Sequence, residues 1–289
     1  MSHVRTLRRA IVRRLPSAPP PAATAPATGP LETDRATYLA AATLTDRLAA
    51  TTAPPRPLAR AELRVSSQNG EDGVLAEILR RLGPSPEPSF VEFGVETGTE
   101  GVCVFLADVL GWRGAFLEAE PALHALLTRK YALRPEVRTH RATVTPENVE
   151  ALFAELEVPA EPDVLAIDID GADYWVWRAL GAYRPRVVVI EYNAGLGAER
   201  PLTVPADVAG WAGTDYFGAS LPALERLGAA KGYRLVHTEL AGVNAFFVRD
   251  DLAGAFPEPV LRRGPNILLR GVWHVPDTSG RPYLVDPPT

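Results

Sequence analysis

One cysteine, one methionine and no long apolar run mark what this 289-residue chain does without. A lone Cys103 excludes an internal disulfide framework and fits a reducing compartment. It lies within Val102-Cys103-Val104-Phe105-Leu106, the setting of a buried, inert thiol rather than a reactive one. No stretch approaches the roughly 20 apolar residues that span a bilayer, so we expect no transmembrane segment and a cytoplasmic protein. The apolar pieces between the first arginine pairs are too short for a secretory signal. Excess positive charge is missing too. A net charge of -5 gives no general drive toward nucleic acid or an anionic membrane, and no nucleic-acid partner is expected. What remains is 46% hydrophobic, enough for one large α/β domain with appendages.

Residues 1–33 read as a disordered tail. Arg5, Arg8, Arg9, Arg13 and Arg14 come before any acid, and a Pro-Ala-rich stretch follows. A basic amphipathic helix on a membrane or partner is the sharper alternative to a solvated extension. Residues 34–65 carry one helical pattern, ended by Pro54-Pro55, and a linker. Residues 66–250 hold the main domain, and 251–289 a proline- and glycine-rich extension wrapping its surface.

The main domain is organised around Ser89-Phe90-Val91-Glu92-Phe93-Gly94-Val95-Glu96-Thr97-Gly98. A buried strand stops at Gly94, and a tight turn leads to a helix expected to start near Thr99, with its helical pattern over 102–110. Glu92 and Glu96 would repel a phosphate and suit an amino group or ribose hydroxyls. The dinucleotide fingerprint G-x-G-x-x-G is absent, which argues against a nucleotide-binding oxidoreductase. Further strands are expected over 115–117, 137–144, 163–167 and 186–190, separated by helical patterns. Alternation at this spacing predicts a mostly parallel sheet with helices on both faces. Strands 234–238 and 244–248 would close it as an antiparallel hairpin. Glu118 ends the second strand, where ribose hydroxyls can donate to an acid. Ala142-Thr143 is a candidate adenine wall. The irregular stretch 194–217 reads as a lid or substrate wall, and Ser66–Gly73 as a polar loop over a ligand or a plain helix cap. His274 reads as structural.

Ser67-Gln68-Asn69-Gly70-Glu71-Asp72-Gly73, Val91-Glu92-Phe93-Gly94, Leu117-Glu118 and Ile167-Asp168-Ile169-Asp170-Gly171 together resemble FkbM-type methyltransferases. The similarity runs from about Ser66 to Val248. It implies a Rossmann-like class I methyltransferase fold with a seven-stranded sheet, S-adenosylmethionine as methyl donor, and O-methylation of a sugar or secondary metabolite. By the same resemblance Glu92, Gly94 and Gly98 would hold the methionine end and Glu118 the ribose, with Gln68, Glu96 and Ala119 beside them. Asp168 would sit where methyl group and acceptor meet. Many family members have Asp-x-Glu-Gly where this chain has Asp168-Ile169-Asp170-Gly171.

Three chemistries stay open at the fourth and fifth strand ends. Asp168 or Asp170 serves as general base; or Asp168, Glu191 and Asn193 hold Mg²⁺; or Asp170-Gly171 is a turn, with Asp173 as N-cap of the next helix. The partner is a small-molecule or glycan acceptor, and a homo-oligomer is left open. A non-catalytic binding or scaffold module is the alternative to an enzyme.

Overall fold

Short apolar runs that end in acids become the central strands of a computed structural model describing residues 35–208, 210–266 and 274–289. The expected tail over 1–33 lies outside the described residues. The strands are β1 (Ser89–Phe93), β2 (Arg113–Glu118), β3 (Val137–Arg141), β4 (Val164–Ile167), β5 (Val187–Glu191), β6 (Leu202–Thr203), β7 (Tyr233–Thr238), β8 (Asn244–Arg249) and β9 (Leu284–Val285). Seven of them form one sheet in the order β3-β2-β1-β4-β5-β8-β7. β1 to β5 run parallel, while β8 is antiparallel to both β5 and β7. The fold is therefore the mostly parallel, Rossmann-like sheet that the alternating pattern predicts, with its antiparallel terminal hairpin.

Register decides where the chemistry goes. Phe93 lies opposite Leu117 on one side and Ile167 on the other, and Ile167 lies opposite Ile190. Gly94, Glu118, Asp168 and Glu191 thus stand side by side along one carboxyl edge. In open α/β sheets ligands bind at that edge.

Helices cover both faces because each strand alternates between two apolar sets. Val91, Phe93, Leu165, Ile167, Val188 and Ile190 pack against residues of three helices on one side. Phe90, Phe116, Val164, Val187 and Val189 point into a second core with Leu75, Ile78 and Phe105. Burying each of these side chains is worth about 1.5–3 kcal/mol. The helices are α1 (Arg35–Ala49), α2 (Glu71–Leu82), α3 (Val104–Asp108), α4 (Pro121–Tyr131), α5 (Val149–Glu155), α6 (Asp173–Ala179) and α7 (Leu221–Ala230). Leu44 of α1 is fully buried in the second core, so α1 is a packed part of the domain.

Three local expectations differ. The helix after the central turn does not start near Thr99; α3 begins only at Val104. Its upstream amides explain this: Val102 N–H and Cys103 N–H donate to the Glu92 carboxylate at 2.7 and 2.9 Å. Asp173 is not the N-cap of α6, because Ala172 holds that place. Its carboxylate instead accepts from Ile169 N–H and Gly171 N–H, 2.9 Å each, which fixes the turn before the helix. Finally, the C-terminal extension contributes a strand: β9 pairs antiparallel with β6 in a separate two-stranded sheet.

Candidate active site

A cavity of about 930 Å³ opens along the carboxyl edge. Its floor is the turn after β1. Gly94 has φ +76° there, and a Cβ on it would lie 1.8 Å from the Asp168 carbonyl oxygen. Only glycine permits the first and fourth strand ends to approach this closely. Two non-glycine residues of the lining also take left-handed backbone angles, Glu96 at φ 53° and Asp170 at φ 57°. Such positions persist only where the surroundings enforce them, and they concentrate at functional sites.

Gln68, Glu92, Gly94, Glu96, Glu118, Ala119, Asp168 and Asp170 all line the cavity. Their roles within the protein differ. Glu92 is buried, with both carboxylate oxygens engaged by the Val102 and Cys103 amides. Burial and nearby Asp72 raise its pKa to about 7 against those two hydrogen bonds. Glu118 accepts from Glu96 N–H and Glu120 N–H at 2.8 Å each, so it stitches the first turn to the second. The apolar Leu117, Leu123, Ala142 and Val144 form a wall beside it, with Thr143 next to them.

Gly98 is placed elsewhere. A Cβ on it would meet Leu127 Cδ1 at 2.7 Å and Tyr131 at 3.1 Å, so it is a packing glycine against α4 rather than part of the cavity lining. Asn193 likewise faces away from the cavity lining. It is fully buried, its amide donating to the Asp215 and Phe217 carbonyls while its oxygen accepts from Gly195 N–H. Its hydrogen-bonding groups are spent on the 194–217 loop, which removes it from the expected metal set. Asp170 stands in that place: Asp168, Asp170 and Glu191 each offer an oxygen, and all three lie within 4.8 Å of one another.

Carboxylates this close resist ionising together. Burial, then Asp170, then Asp173 and Glu92 raise the Asp168 pKa well above the usual range. Asp170 is raised by burial and by Glu96. The polar loop ahead of α2 is mainly structural. Asp72 accepts from the amides of Val65, Ser66 and Ser67. Glu71 accepts from Asn69 and Gly70 amides and from the Asn244 side chain, and these bonds outweigh its burial to lower its pKa.

The far wall draws on the 194–217 stretch, read from the sequence as a lid or substrate wall, and on His274, read as structural. Asp207, Trp211, Phe217 and His274 complete the cavity. His274 lies edge-on to Trp211 at 5.4 Å and to Phe217 at 4.9 Å. The C-terminal extension anchors this wall: Tyr283 Oη donates to the Asp215 carbonyl, and Arg281 lies over the Tyr216 ring at 4.1 Å. The stretch 194–217 lacks periodicity, and only its length and place after β5 pointed to it.

No family model matches the chain, and no curated protein matches it. Among solved structures, the citrinin polyketide synthase CMeT domain is 11% identical, with TM-score 0.41, over 62% of this chain and 51% of that one. The chain thus spans about half the length of that domain. Mitomycin 7-O-methyltransferase MmcR is 13% identical, with TM-score 0.37, over 75% of this chain and 69% of that one. Aeropyrum pernix fibrillarin, solved with natively bound S-adenosyl-L-methionine, is 13% identical, with TM-score 0.37, over 56% and 65%. Overlaps this small bear no functional weight; the strand order and the cavity do.

Proposed function

We propose that the chain is an S-adenosylmethionine-dependent O-methyltransferase of the FkbM type, acting on a hydroxyl of a sugar or secondary metabolite. One observation carries this reading: Gly94, Glu118 and Asp168 flank a cavity lined by carboxylates and apolar side chains at adjacent strand ends. Among the described residues its lining holds no lysine or arginine, a surface matched to a cationic nucleoside rather than to a pyrophosphate. The residues fit S-adenosylmethionine. Glu118 would accept from the ribose hydroxyls, and Leu123, Ala142 and Thr143 would flank the adenine, with Gln68, Glu96 and Ala119 nearby. When bound, the cofactor supplies an electrophilic methyl group on a sulfonium.

The chain's own task is to orient the acceptor and manage one proton. A hydroxyl is a weak nucleophile until its proton is shared, and a carboxylate within hydrogen-bond reach does that. Asp168 or Asp170 would take the proton. The crowding that raises their pKa values makes either a stronger base once ionised. The donor set Asp168, Asp170 and Glu191 also fits a hard divalent cation such as Mg²⁺, which would lower the hydroxyl pKa instead. Loss or retention of turnover in EDTA separates the two.

Calorimetric titration with S-adenosylmethionine, S-adenosylhomocysteine and NAD tests the assignment. We expect the first two to bind and NAD not to. Glu118→Ala should weaken S-adenosylhomocysteine by about tenfold or more, the scale of a hydrogen bond to a charged group. Binding of NAD alone would end the proposal. Wild-type turnover by Asp168→Asn would end the base and metal roles of that residue.

A further inference from the structure

The charge of the cavity narrows the acceptor class. Ten carboxylates line it, and among the described residues no lysine or arginine does. Some are engaged locally: Glu100 pairs with Arg64 at 2.8 Å, and Glu71, Glu92 and Glu118 accept backbone amides. The other lining acids are Asp168, Asp170, Glu191, Asp207, Glu96 and Glu147. Crowding works against ionising Asp168 and Asp170 together, but Glu96, Glu147 and Asp207 alone already outnumber the single positive charge of a sulfonium.

The usual means of holding an anion at this edge is also blocked. The amides of Val102 and Cys103, which precede α3, already donate to Glu92. The turn after β1 presents Glu96, an acid, in a left-handed conformation. A phosphate or carboxylate on the acceptor, added to the one carboxylate of the cofactor, would therefore meet carboxylates and, among the described residues, no lysine or arginine.

The aromatic part of the lining has a different character. Val208 and Gly210 pack directly on the Asp170 turn: a Cβ on Gly171 would lie 3.0 Å from the Val208 carbonyl oxygen and 3.2 Å from Gly210 N. Asp207 and Trp211 line the same cavity as Asp170, with Trp211 half-exposed and His274 edge-on to both Trp211 and Phe217. An aromatic face bordered by carboxylates is how proteins hold ammonium groups, the ring quadrupole and the acids attracting the same charge.

We propose that the acceptor is a polyhydroxylated amine, an amino sugar or aminocyclitol bound as its ammonium form, and that it carries no phosphate or carboxylate. This rests on the methyltransferase reading of the same cavity, and it goes further by fixing the sign of the acceptor's charge. It also places the step in a reaction order. Amination of the acceptor precedes methylation, and release from any phosphorylated carrier precedes it as well.

The test uses full-length protein saturated with S-adenosylhomocysteine, near neutral pH. Glucosamine and 2-deoxystreptamine are titrated beside their N-acetylated forms and beside glucosamine 6-phosphate. At least one free amine should bind about tenfold more tightly than its N-acetylated partner, and the phosphate should bind more weakly than either. Raising salt from about 20 to about 300 mM should shrink the preference severalfold, because exposed charges are then screened. Asp207→Asn should lower amine affinity about threefold or more while leaving S-adenosylhomocysteine affinity unchanged, a pattern that general unfolding does not produce. The proposal is overturned if no free amine exceeds its N-acetylated partner, or if the phosphate binds as well as the amine. A separate titration of the ligand-free protein with S-adenosylhomocysteine isolates the underlying reading: failure there with the amine preference intact removes the methyltransferase and keeps the charge assignment.

Discussion

A methyl group added at Gly94 would sit 1.8 Å from the Asp168 carbonyl oxygen, and backbone, unlike a side chain, cannot turn aside. The same addition at Gly98 would meet the end of the Leu127 side chain at 2.7 Å, which can rotate. Both glycines have positive φ, so each alanine also carries backbone strain of about 1–3 kcal/mol. Urea unfolding should therefore rank the two: Gly94→Ala loses more than about 4 kcal/mol or fails to fold, while Gly98→Ala loses about 1–3 kcal/mol. The mutants should differ in function as well. Gly98→Ala, outside the cavity lining, should keep S-adenosylhomocysteine affinity within about threefold if it folds. Equal destabilisation by both would mean that the fourth strand end does not press on the first. In the sequence the pair looks like one motif, acid-x-Gly-x-x-x-Gly, because spacing along the chain cannot tell a strand contact from a helix contact.

At the scale of elements, the carboxyl end of β5 is held by a clamp rather than by a ligand set. Asn193 donates to the Asp215 carbonyl at 2.9 Å and to the Phe217 carbonyl at 3.1 Å, and accepts from Gly195 N–H at 3.0 Å. Truncation leaves three polar backbone groups without that partner, at a cost of about 1–3 kcal/mol. Asn193→Ala should thus raise deuterium uptake across 213–218 and weaken acceptor binding. Any response of turnover to Mg²⁺ should persist, and its loss would return Asn193 to the metal. This is where the sequence was least readable. Val164–Ile167 and Val187–Ile190 are continuous apolar runs, and burial on both faces follows directly from them. The acids at strand ends were found for the same reason, since an acid after such a run has to emerge at the sheet edge. A polar residue two positions further on carries no such constraint. The pairing of β6 with β9, and the arrival of His274 at the cavity, depend on long-range closure that no local period encodes. The shortened α3 was hidden differently: a buried carboxylate from another strand captures the Val102 and Cys103 amides.

The whole molecule concentrates carboxylates where water is scarce, and its stability should record that. Burial raises Glu92 and Glu239 to about 7 and Asp173 to about 6, in each case against hydrogen bonds from backbone amides. An unfolded chain would bring all three back to the ordinary carboxylate range of about 4. Between about pH 4 and 7 the native state then binds more protons than the unfolded state, so stability falls as pH rises through that window. Each group contributes on the order of 2–4 kcal/mol across it. An opposite slope begins at lower pH. Glu77 is lowered to about 2, its hydrogen bonds to Arg80 and Arg81 overcoming the cost of burial, and its contribution disappears as pH falls from about 4.5 toward 2. Maximum stability should accordingly lie near pH 5, and the melting temperature at pH 5.5 should exceed that at pH 8. Glu92→Gln isolates one group. The amide keeps an oxygen for one of the Val102 and Cys103 amides but no longer ionises, so the decline between pH 5 and pH 8 should flatten by about 2–4 kcal/mol while the acid limb is unchanged. A wild-type melting temperature that climbs steadily from pH 5.5 to 8 would mean that solvent or a bound cation relieves these carboxylates. Repeating the scan with EDTA distinguishes those causes, because only a cation-loaded protein would then recover the falling limb.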